Sequence, residues 1–206
     1  MNFQLPISWV DVAIPLFLGF GVFRGRKHGL SQELVILIQW LAITFACAFL
    51  YQPLGEFLAS FPSLNLSLLF CYIVSYLAVA ALTKIFFALI KGSAGGKLVG
   101  SDVFGAGEYY FGMAAAFVRY TCMVIFAMAL LNAKLVSEAE AKATVASQIK
   151  LYDKDYFSIF RLEPLQSEVF GNSFLGRFVK EQLGFLLITP THAGVSERHQ
   201  KEFEMP

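Results

Sequence analysis

The chain has 206 residues, of which 57% are apolar and only 15% charged, with 22 phenylalanines and a net charge of +1. Soluble proteins carry roughly 45–50% apolar and about 25% charged residues, so this excess is too large for an aqueous core to hide and predicts a chain solvated by lipid. The near-zero net charge leaves no electrostatic footprint for nucleic acid.

Crossing a bilayer takes about 20 mostly apolar residues, and four runs approach or exceed that length. In chain order they are "WVDVAIPLFLGFGVF" (9–23), "LVILIQWLAITFACAFLY" (34–51), "LNLSLLFCYIVSYLAVAALTKIFFALI" (64–90) and "YYFGMAAAFVRYTCMVIFAMALL" (109–131). Each is expected to be a helix, because a run in lipid must satisfy its backbone internally. The first is no cleavable signal, since no positive residue precedes it and the basic cluster follows it. That cluster, Arg24, Arg26 and Lys27, fills the first connection, while Lys91 and Lys97 lie in the third, and 52–63 carries no Lys or Arg. The positive-inside rule then places both basic connections in the cytoplasm and the amino terminus, the "QPLGEFLASFPS" loop and the carboxyl tail outside.

Within the spans, small residues recur every fourth position. Gly21, Gly25 and Gly29 share one face, as do Ser67, Cys71 and Ser75, and Gly112 with Ala116. Such spacing lets membrane helices approach closely. Gly29 reads equally well as the break that ends the first helix. Cys47, Cys71 and Cys122 sit in apolar runs with no metal-ligand or disulfide spacing and read as buried thiols. "KGSAGGKLVGSDVFGAG" (91–107) lacks the Gly-Lys-Ser/Thr ending of a phosphate loop and reads as a cytoplasmic turn.

Beyond residue 133 the chain becomes water-compatible and nearly neutral. "SEAEAKATVASQIKLYDKDYF" is rich in helix formers, with Ser137 and Glu140 spaced as a capping box. After Pro164, the residues Leu165, Val169, Phe170, Phe174, Phe178 and Leu183 recur near the helical period. That segment is expected either to lie along the membrane surface or to pack on the other tail helix. The last dozen residues read as disordered. The fold class is therefore all-α: a polytopic helical membrane domain of about four spans over 1–133, with an extramembrane helical tail over 134–206.

Arg119 stands about 16 Å inside the fourth span, from its 11 residues at 1.5 Å each. An arginine near the bilayer centre costs at least about 2.5–3.5 kcal/mol on insertion scales, so it needs a partner or a wet cavity. It reads either as a buried ion pair holding the bundle or as a charge lining a pathway. Asp11 is one candidate partner, but Ser8 and Asp11 also form a Ser-x-x-Asp capping box, and the cap is the preferred reading. Nearer the cytoplasmic face, Arg24 is expected to pair with Glu33 or Glu108. His28, His192 and His199 all lie in polar segments, so no Ser–His pair, His-Glu-x-x-His helix or metal cluster can be assembled in the membrane. No catalytic residue, cofactor or metal is expected, and the protein reads as a non-enzyme.

The arrangement resembles the colicin V production protein family, bacterial inner-membrane proteins of about four spans. "WVD" supplies the aromatic and the Asp of its first span in Trp9 and Asp11, and "HG" (His28, Gly29) stands at its Arg-Gly, followed at matching offsets by Glu33 and Trp40. "EYYFGMAAAFVRY" matches its second signature with Glu108, Gly112, Ala116 and Arg119, with His28 in place of Arg, Glu108 of Asp, Ala116 of Gly and Tyr120 of Gly. The resemblance covers roughly residues 8 to 132. It implies a role in toxin production or secretion and in cell-envelope homeostasis, in the inner membrane, with the bilayer, further copies of the chain or other envelope proteins as partners. A small oligomeric channel or transporter, with Arg119 lining the pathway, is the alternative.

Overall fold

A computed structural model describes residues 8–61, 67–98, 107–134 and 162–191. Among these residues the fold is helical, apart from one isolated bridge between Lys134 and Thr191. The helices are α1 (Trp9–Ala59), α2 (Leu68–Leu98), α3 (Glu108–Asn132), α4 (Leu162–Ser167), which runs on as a π-helical turn Glu168–Asn172, and α5 (Phe174–Gln182), followed by a 3-10 turn Gly184–Leu186. The capping box at Ser137 and Glu140, the helix formers around it and the terminal dozen residues lie outside the described residues, as do 99–106.

Among the described residues, three helical segments are long and apolar enough to cross a membrane: Glu33–Ala59, Leu68–Ile90 and Glu108–Asn132. The first expected run, 9–23, does not reach that standard by itself, because Asp11 at one end and Arg24, Arg26 and Lys27 at the other shorten its apolar stretch. It nevertheless forms the first limb of α1 and runs beside the other helices.

What joins the two limbs of α1 is one residue. Gly29 has φ 70° and ψ 171°, the single non-helical position in the element, and that combination is open essentially to glycine alone. The contacts on either side show the outcome. Moving back through the first limb, Gly29, Gly25 and Gly21 meet Glu108, Gly112 with Ala116, and Tyr120 in turn, so this limb is antiparallel to α3. Moving forward through the second limb, Glu33 meets Arg119 and Trp40 meets Phe126, so this limb is parallel to α3. Gly29 thus folds the second limb back alongside the first, where a polar connection was expected.

Two further boundaries differ from expectation. The second limb continues as helix through 52–59 rather than opening into a loop after Tyr51. Here Gly55 lies directly against the Tyr72 ring, so that α2 begins in close contact with the end of α1. Likewise α2 continues to Leu98, into the segment expected to be a turn; extending an existing helix is far cheaper than nucleating one.

The core lies between the second limb, α2 and α3. Cys47, Tyr51, Tyr72, Tyr76 and Met128 are buried there together with Val10 of the first limb. Tyr51 stands edge-on to Tyr72 and Tyr76, with ring centroids 5.6 and 6.2 Å apart, and Cys47 Sγ donates to the Tyr76 carbonyl at 3.5 Å. All three cysteines are free and buried, as their apolar settings indicate. Around this core the outer faces carry exposed Leu, Ile and Phe, including Leu16 and Phe20 of the first limb and Leu82, Phe86 and Leu89 of α2. An inside of tyrosines and small residues with an outside of large apolar side chains is the arrangement expected when the solvent is hydrocarbon.

The tail closes over one end of the bundle. Leu187 and Ile188 join the main core, while Leu186 packs with Ala48 and Ile125. The single amphipathic stripe expected after Pro164 is interrupted, because Ser173 adopts extended backbone (φ −84°, ψ 135°) and starts a new helix. Val169 and Phe170 therefore point inward while Phe174 and Phe178 remain exposed.

Candidate functional site

The interface between the two limbs of α1 and α3 gathers most of the residues singled out in the sequence. It begins with close backbone approach. A Cβ on Gly25 would stand 2.5 Å from the Gly112 carbonyl oxygen, and one on Gly112 would stand 2.8 Å from the Gly25 carbonyl oxygen and 2.9 Å from Gly29 Cα. The glycine face of the first limb therefore fits the Gly112–Ala116 face of α3, each filling the space the other leaves. One turn further on, the Tyr120 ring lies across Gly21, where a Cβ would meet Cγ and Cδ2 at 2.5 Å, and Phe17 and Phe20 flank the same ring at 4.9 and 6.4 Å. At the bend, the Glu108 side chain lies beside Gly29, 2.9 Å from where a Cβ would be.

The fold-back at Gly29 also sets the position of the charge. Glu33, one turn into the second limb, forms an ion pair with Arg119. The two residues are only 2% and 5% exposed, so the pair lies inside the protein and is screened from lipid and water alike. Side chains on a helix lean toward its N-terminus, which tilts Arg119 toward the bend and hence toward Glu33. The Arg119 guanidinium also lies 4.9 Å from the centroid of the Tyr120 ring, a distance at which a cation is attracted to the ring face. The expected Arg24–Glu33 pair is thereby corrected: the carboxylate goes to the interior arginine, because the reversal at Gly29 turns Glu33 inward.

Arg24 and His28 stand apart from this site. Both are exposed, with His28 Nδ1 2.9 Å from the Arg24 carbonyl oxygen, and Arg26 and Lys27 are exposed beside them. The bend is thus rimmed by cations on its outer surface and closed by glycine contacts on its inner one.

Asp11 lies at the opposite end of the first limb, with a role beyond the expected cap. Its Oδ2 accepts from the Ser8 N–H at 3.2 Å while Ser8 Oγ accepts from the Val10 N–H at 3.4 Å, the reciprocal cap read from Ser-x-x-Asp. The same carboxylate also accepts from the Ser173 hydroxyl at 2.7 Å and from the backbone N–H groups of Phe174 and Leu175 at 3.1 and 3.0 Å. One carboxylate therefore satisfies orphan donors at the starts of two helices, α1 and α5, and ties the tail to the membrane domain. Ser8 reinforces the joint by donating to Glu168 Oε1 at 2.9 Å. A second tether joins residues 188–191 to the bundle: Thr189 N–H donates to Tyr51 Oη at 3.1 Å, Asn132 Nδ2 to the Ile188 carbonyl at 2.9 Å, and Thr191 N–H to the Ala133 carbonyl at 2.9 Å.

Ser173, Glu168 and Tyr120 were not among the expected site residues. Ser173 does carry a local signal, a polar Asn172-Ser173 break inside an apolar stripe, but nothing in the sequence assigns it Asp11 as partner across 162 positions. Among the described residues no group of His, Cys, Asp and Glu is placed to hold a metal ion.

Neither the curated proteins nor the solved structures give a match to this chain. The model of the family described as Colicin V production protein matches residues 10–152, a span that takes in Asp11, Gly29, Glu33, Glu108, Gly112 and Arg119. The chain is a member of the colicin V production protein family.

Proposed function

We propose that this membrane protein is a non-enzymatic factor of the bacterial inner membrane, acting in toxin production or secretion and in cell-envelope homeostasis. The family it belongs to supports the connection with toxin production. The observation that carries the rest is the buried Glu33–Arg119 pair. Its partner in place, the arginine is part of the framework that holds the folded-back limbs of α1 against α3, which speaks against a charge offered to a passing solute.

In this reading the first limb makes a fourth crossing. Its 9–28 stretch is about 20 residues, or about 30 Å of helix, which matches the hydrocarbon thickness. The exposed cations at the Gly29 bend belong to the cytoplasmic face. Asp11, Tyr51, Asn132 and the tail then lie outside, so both termini are external.

Complementation of a strain lacking this gene tests the proposal. The wild-type chain is expected to restore toxin export and resistance to detergent. A doubly apolar variant, Glu33→Met with Arg119→Met, is expected to restore both as well. A double variant that accumulates normally in the membrane yet restores neither would show that the charges themselves do the work, and the channel or transporter reading would replace this one.

A further inference from the structure

Because Asp11 accepts from the backbone N–H groups of both Phe174 and Leu175, the start of α5 is fixed within a turn of the start of the first limb. Thr189 and Thr191 fix the segment that follows α5 to Tyr51 and Ala133. α5 is therefore held at the level where the membrane-crossing helices end. It turns Gly176 inward, close against the Val169 carbonyl, with Leu175 and Val179 half-buried. What remains outside is unusual for a water-facing tail: Phe174 is 66% exposed, Phe178 52% and Phe185 61%. Phe174 and Phe178 are one turn apart on a single face, which Glu181 continues toward the end of the helix, and Arg177 and Lys180 occupy the rest of the exposed arc.

We infer that α5 is an interfacial anchor whose phenylalanine face, Phe174, Phe178 and the following Phe185, inserts at the headgroup boundary of the leaflet on the Asp11 side. The occupant is lipid because of what adjoins it. The first limb exposes Trp9, Val12, Leu16, Phe20 and Phe23, and this apolar strip begins at the residues that Phe174 is hydrogen-bonded beside. The hydrogen bonds to Asp11 hold the tail phenylalanines at the depth where that strip ends, level with Trp9, which is where aromatic side chains anchor membrane proteins. A helix with one aromatic face and basic residues on the other arc lies in the plane of the interface. By this arrangement residues 174–191 are held at both ends by hydrogen bonds and between them by lipid.

The inference rests on the membrane-crossing reading, and the test separates the two. The native cysteines are buried, so a nitroxide reagent should label only an introduced one. Full-length Phe178→Cys, Lys180→Cys and Leu82→Cys proteins are labelled and reconstituted in phospholipid vesicles. Collision with apolar oxygen is then compared with collision with a water-soluble nickel chelate. The expected result is a strongly oxygen-favouring ratio at 82, a chelate-favouring ratio at 180, and a ratio at 178 at least fivefold above that at 180. A ratio at 178 equal to that at 180, with 82 still in hydrocarbon, would overturn the anchor and leave the crossing intact. A label at 178 shielded from both reagents would overturn it in favour of contact with a second copy. Chelate-favouring collision at 82 would overturn the crossing itself, and the anchor with it.

Discussion

Replacing Glu33 by methionine leaves Arg119 buried without its carboxylate, and replacing Arg119 by methionine leaves Glu33 buried without its guanidinium. With both groups almost wholly enclosed, either loss is expected to cost on the order of 3–5 kcal/mol. The two costs are not equal. A lone carboxylate escapes by taking up a proton, whereas a lone guanidinium stays charged at every accessible pH, so Glu33→Met is the worse variant. The double exchange removes both charges and keeps similar volume, which is often neutral or stabilising for a buried pair. The coupling energy is therefore expected to be about as large as the two single costs together, on the order of 6–10 kcal/mol. Unfolding of the purified protein by denaturing detergent in mixed micelles, run as a double-mutant cycle, measures it. Additive losses, with the double variant worse than either single one, would refute the view that these residues are tied to each other rather than to other groups.

The glycines of the first limb provide a second test on a single helix. Gly25→Leu places its side chain into Gly112 and Ala116 and should cost about 1–3 kcal/mol, as overpacking does, whereas Gly19→Ala meets nothing within 4 Å and should gain about 0.5–1 kcal/mol from helix preference; equal effects in thermal unfolding would contradict the interface. At the bend, Gly29→Ala forces a Cβ into a backbone region almost closed to it and toward Glu108, a strain of about 1–3 kcal/mol, to be read as a lowered melting temperature that a nearby Gly19→Ala control does not share. Asp11→Ala removes the cap shared by two helices, about 0.5–2 kcal/mol for each; amide exchange at Phe174 and Leu175 should quicken by about tenfold, since 1.4 kcal/mol of lost protection is one decade, and unchanged exchange there would mean that the tail does not depend on this carboxylate.

Of the fold, the sequence by itself determined whatever depends on solvent and on local spacing. Long continuous apolar runs set helices in lipid, because a single run can satisfy its own backbone hydrogen bonds there only as a helix. The Ser8–Asp11 cap, the buried cysteines and the four-residue spacing of Gly21, Gly25, Gly29 and of Gly112, Ala116 are equally local, and all appear as read. Only the tertiary structure decided which stripe meets which, that one positive-φ glycine replaces a whole connection, and that Glu33 turns to Arg119 instead of Arg24. The same holds for the second duty of Asp11 at the start of α5. A charge or a glycine face announces that it needs a partner, but the identity of that partner is set by the direction in which the chain returns, and the backbone of one residue, Gly29, reverses that direction without altering the hydrophobic pattern on either side.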